Sequence, residues 1–137
     1  MSEEKSYLGL ILWLIGFLAV MTLCLFLPEA WMLRGIMQLC SLGILVLIYM
    51  IWVNEKIYWI NGVTFEEALQ ATSAQRKAFA GAHLKLFGWF AAAFPVFSVV
   101  SVALGWSEWW DFAVGTVGMI AVAVATVPIK LQTKKDG

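Results

Sequence analysis

Few residues in this chain could do chemistry, and none of them clusters in sequence. His83 is the single histidine. A bis-histidine haem would need two from one chain, so no intrinsic haem site is expected. His83 precedes the third apolar run, where a solvated or headgroup-facing imidazole is expected. Cys24 and Cys40 have no C-x-x-C spacing and no histidine beside them, so neither a redox motif nor a zinc site is indicated. They read as small buried apolar residues at different depths, which argues against a disulfide. There is no phosphate-cradling glycine loop, no G-x-S-x-G and no H-E-x-x-H. The sequence therefore implies no cofactor, no metal and no catalytic residue.

The remaining candidates are polar positions within apolar runs. Gln38, Ser41, Ser98 and Ser101 are the strongest, with Thr22 and Thr116 weaker. A transport pathway would need such side chains as its lining. A hydrogen bond between helices is the plainer expectation for Gln38. Tyr58, Trp59, Trp106, Trp109 and Trp110 could form an aromatic ligand site, but anchoring at a lipid–water interface explains them more cheaply. The basic tail, Lys130 to Lys135, suits attraction to anionic lipid or a plain stop-transfer flank.

The elements that must position these groups follow from composition. Of 137 residues, 62% are hydrophobic and 13% charged. Soluble domains lie near 45–50% and about 25%, so lipid is the expected solvent. Net charge is zero, which gives no bulk attraction to nucleic acid. Four apolar runs are expected to span: residues 7–27, 31–53, 86–105 and 112–129. The first is too long for a signal-peptide core, and Leu-Pro-Glu-Ala makes a poor cleavage site. Pro28 breaks the chain between the first two runs. Arg34 lies one turn inside the second, where its guanidinium is expected to snorkel to the headgroups. Pro95 should kink the third. The fourth, with Gly115, Gly118, Ala121 and Ala125, is the expected close-packed helix seam. No Asp, Glu, Lys or Arg lies deep inside a run, which argues against an ion-coupled transporter.

Between the second and third runs lies a polar connector, residues 54–85. Asn61-Gly62 signals a turn. Thr64 with Glu67 has capping-box spacing, and one helix is expected from Phe65 to about Lys85, able to continue into the third run. Arg76 interrupts its apolar face. The fold class is thus all-α and integral to the membrane: four transmembrane helices as two hairpins, with a cytosolic connector helix. Lys5, Lys56, Arg76, Lys77, Lys85, Lys130, Lys134 and Lys135 then share one side, against Arg34 alone on the other. The positive-inside rule puts both termini and the connector in the cytoplasm.

The segment Ile60-Asn61-Gly62-Val63-Thr64-Phe65-Glu66-Glu67 resembles an uncharacterised family of small bacterial multi-span membrane proteins. In that family an Ile-x-Gly turn, then Ser/Thr with acids behind it, occupies the same place. The likeness covers about residues 35 to 105 and departs at Val63 and Thr64, where the family has Tyr-Asn. It implies a bacterial plasma-membrane location and carries over no activity. The expected function is non-enzymatic: an accessory or structural protein, with lipid as its surroundings and itself or another membrane protein as partner. A small oligomeric transporter or channel subunit is the alternative.

Overall fold

The computed structural model describes residues 5–60 and 62–131. Asn61 of the expected turn, and Lys134 and Lys135 of the basic tail, lie outside the described residues. Among the described residues the regular structure is entirely helical. The order is α1 (Leu8–Leu23), a 3-10 turn (Cys24–Phe26), α2 (Glu29–Asn54), a second 3-10 turn (Ile57–Trp59), α3 (Phe65–Gln70), α4 (Ser73–Ala103) and α5 (Glu108–Thr126). Four stretches are long and apolar enough to cross a membrane: Leu8–Phe26, Glu29–Asn54, Ser73–Ala103 and Glu108–Thr126.

The punctuation has local causes. Leu27 is extended and Pro28 is the N-cap of α2; proline lacks the N–H that would continue the preceding helix. The second helix therefore starts at Glu29, two residues before the apolar run. It ends where Glu55 takes a left-handed conformation, φ 59. Gly62 carries the positive φ, +96, of the next turn, a backbone geometry that side chains resist. Thr64 and Glu67 form the reciprocal capping box.

The connector corrects the expectation of one helix from Phe65 to Lys85. The helix stops at Gln70, Ala71 is extended, and a second capping box, Thr72 with Gln75, opens a new helix. Two orphan N–H groups are satisfied there, which makes a restart cheap. The new helix, α4, runs without interruption into the third apolar stretch, with Pro95 inside it.

Helices α2, α4 and α5 pack on one another and form the body of the molecule. At Gly115 an added Cβ would come within 3 Å of Met37 and Phe94, and at Gly118 within 3 Å of Phe90. Rings of α4 thus sit against bare backbone of α5 at Gly115 and Gly118, whereas Ala121 and Ala125 of the expected seam are exposed. Helix α1 packs on α2 by a different device. The Trp13 indole N–H donates to the Gly43 carbonyl at 3.1 Å, and Phe17, stacked on Trp13, covers Gly43. The remaining surface of α1 is apolar and exposed, including Leu8, Ile11, Leu12 and Ile15.

At the connector end, Ile51, Ile57, Tyr58, Ala68, Phe79 and Ala80 form a buried cluster. Arg76 holds it together. Its Nη1 donates to the carbonyls of Ala68 (3.0 Å) and Ala71 (2.5 Å), and its Nε and Nη2 meet Glu55 at 3.2 and 3.1 Å. A cation at the C-terminal end of α3 also suits the helix dipole. The arginine that interrupts the apolar face therefore joins three elements. His83, expected to be solvated, is buried, with Nδ1 3.0 Å from the Phe79 carbonyl. The burial is an effect of tertiary packing around α4 that no local pattern encodes.

Candidate functional site

At the opposite end of the helices, polar side chains from α2, α4 and α5 converge. Arg34 lies about 7.5 Å along α2 from Glu29, and Gln38 one turn further in. Ser98 and Ser101 are adjacent on α4 at the i, i+3 spacing that places side chains on one face. Asp111 occupies the first turn of α5, where a carboxylate complements the helix dipole. Ser107 caps that helix by accepting from the Trp109 N–H.

The contacts form one continuous network. Gln38 Nε2 donates to Ser98 Oγ at 2.6 Å, and Ser98 Oγ donates to Asp111 Oδ2 at 2.5 Å. The other carboxylate oxygen, Oδ1, accepts from Arg34 Nε at 3.2 Å. Arg34 Nη2 reaches the Trp106 carbonyl at 2.6 Å and Ser101 Oγ at 3.4 Å, and Nη1 reaches the Ala30 carbonyl at 3.3 Å. Asp111 and Ser101 are 0% exposed and Arg34 8%. Each guanidinium nitrogen has an acceptor, and each Asp111 oxygen has a donor. Burial of this pair is tolerable for that reason, since an unpaired buried charge is strongly destabilising.

Arg34 thus departs from its expected place. It does not snorkel to headgroups; it turns inward to a carboxylate, Asp111, one residue before the expected fourth run. A fixed acceptor set at the right depth outcompetes interfacial water for a planar, five-donor group. Arg34 and Asp111 are the residues that sequence reasoning missed. A signal existed: Arg34 lies near the start of the second apolar run and Asp111 just before the fourth, so both fall near the N-terminal ends of their helices. Their pairing spans 77 positions, beyond any local spacing rule.

Of the four polar positions expected, Gln38, Ser98 and Ser101 meet in this network. Ser41 is buried one turn beyond Gln38, and its Oγ has no hydrogen-bond partner among the described residues. The four tryptophans divide. Trp109 and Trp110 are well exposed, while Trp106 gives its carbonyl to Arg34 and packs between Phe97 and Trp110. Trp59 stands at the other end of the molecule, where its indole N–H and the Tyr58 hydroxyl both donate to the Ser6 carbonyl.

An apolar groove of about 700 Å³ adjoins the network. Leu27, Trp31, Gly35, Val99 and Val102 line it, together with Arg34, Gln38 and Ser98. The polar atoms of those three are engaged in the network, so hydrocarbon forms nearly all of the groove's surface. The arrangement can hold three helices in register; its polar atoms are already occupied by one another. No known protein family, characterised protein or solved structure matches the chain.

Proposed function

We propose that the chain is a non-enzymatic, four-span integral protein of a bacterial plasma membrane, arranged as two hairpins, with both termini and the connector in the cytoplasm. Its role is accessory or structural, exercised by packing against a second copy or another membrane protein. The observation that carries this reading is the closure of the Arg34–Asp111–Ser98–Gln38 network. Those groups are the chain's best material for a polar pathway, and they are used to lock α2, α4 and α5 together. The exposed apolar side of α1, which packs on α2 through Trp13 and Phe17, supplies a surface for lipid or a partner helix.

Native mass spectrometry from mild detergent tests the reading. A self-oligomer or a stoichiometric membrane-protein partner is the expected result. A bare monomer, whatever the detergent, contradicts it. Flux through reconstituted vesicles tests the transporter alternative, and no flux of small cations, anions or amphiphiles is expected.

A further inference from the structure

His83 opens onto a second cavity, of about 1110 Å³, under the connector. This volume exceeds the roughly 300–1,000 Å³ of ordinary small-ligand pockets, which leaves room for a long occupant. At one end it is bounded by apolar side chains from helix interiors, among them Leu47 and Phe87; at the other stand Glu67, Gln70 and Lys130. The cavity is therefore greasy inside and polar at its mouth.

The imidazole's state is set by its neighbours. Nδ1 lies 3.0 Å from the Phe79 carbonyl, which accepts only, so Nδ1 carries the hydrogen. In that tautomer Nε2 is a bare acceptor. The residue is 6% exposed, and Nε2 has no protein partner among the described residues. It is not sealed either: among the described residues, Ser41 Oγ is the one fully enclosed side-chain nitrogen or oxygen left without a partner. The His83 ring lines the cavity. A buried acceptor facing a largely apolar space favours an occupant that brings a hydroxyl. At the mouth Lys130 and Glu67 offset each other, which disfavours a net charge on the head. One Glu67 oxygen is already held by the Thr64 N–H.

From this geometry we infer that the cavity binds a single-chain amphiphile with an uncharged, hydroxyl-bearing head. The chain lies between α2, α4 and α5, and a head hydroxyl donates to His83 Nε2. The inference stands apart from the proposed packing role and holds with or without a protein partner. Because His83 is the only histidine, selective ¹⁵N labelling reports on this ring alone. The full chain in phosphatidylcholine nanodiscs is titrated with monooleoylglycerol, oleate or 1-octadecene. Monooleoylglycerol should move the Nε2 resonance saturably, while the other two leave it in place. In equilibrium binding of radiolabelled monooleoylglycerol, His83→Phe should weaken binding about tenfold, the loss of one good hydrogen bond, with the thermal unfolding midpoint of the wild type. Ala123→Trp, which fills the cavity from an exposed position, should abolish binding and keep the Nδ1 signal. An unchanged Nε2 resonance, an equal response to octadecene, tighter binding of oleate, or undiminished binding by both variants would overturn the inference.

Discussion

Arg34 and Asp111 meet at 3.2 Å across 77 positions of sequence, and the consequences of breaking that pair are asymmetric. Removing one partner strands a buried charge, at a cost of about 3–5 kcal/mol, whereas replacing both with apolar residues of similar size is often near neutral. Asp111→Ala should therefore unfold far more readily than the wild type in mild detergent, and Arg34→Met with Asp111→Leu should recover most of the loss. A double variant no better than Asp111→Ala would show that the network is not what couples the helices. Glu55 permits a pH prediction at the other end. A hydrogen bond from the Ser73 hydroxyl, then the Arg76 guanidinium, holds its carboxyl below the ordinary carboxylate value despite partial burial. With a lowered folded value, the junction's stabilisation is complete above the ordinary pKa near 4.5 and lost as pH falls through the folded one. Hydrogen exchange of α3 and the 3-10 turn at Ile57–Trp59 should accelerate on acidification in that window, and Glu55→Gln should flatten the acid step.

Helix by helix, the legible parts are those with a local cause. Four uninterrupted apolar runs, Pro28 and the Thr64–Glu67 box each announce an element or its boundary within a few residues. Thr72-x-x-Gln75 has the same capping form, yet the Ala-, Gln- and Lys-rich composition around it reads as one continuous helix. Its effect is visible only once Ala71 is seen extended. Burial of His83 and the inward turn of Arg34 depend on which helices become neighbours, and neither follows from periodicity along one helix. Two predictions belong here. Thr72→Ala should cost about 1 kcal/mol through loss of the cap, read as faster hydrogen exchange over the first turn of α4. Gly115→Leu should cost about 1–3 kcal/mol by overpacking the seam against Met37 and Phe94, whereas Gly16→Leu, with nothing within 4 Å, should stay within about 0.5 kcal/mol. Equal effects at the two glycines would contradict the packing described.

At the scale of the whole molecule, each end of the α2–α4–α5 body has its own fastening. One end carries the Arg34 network, and the connector end carries Arg76 with the cluster under α3. Between them the contacts are apolar, and much of the outward surface is Leu, Ile, Val and Trp, a surface suited to lipid and unfit for water. Lys5, Lys56 and Lys77 each stand over an aromatic ring, those of Tyr7, Trp59 and Trp52, at 4.9 to 5.5 Å from the ring centre. We propose that they form a headgroup-level belt at the connector end. The central claim is that the four long helices cross the bilayer with this belt facing the cytoplasm. It is tested most directly by single-cysteine labelling in sealed vesicles, with Cys24 and Cys40 replaced by alanine. A membrane-impermeant maleimide should label Lys77→Cys only from the cytoplasmic face and Ser107→Cys only from the opposite face. Labelling of both positions from the same face would contradict it.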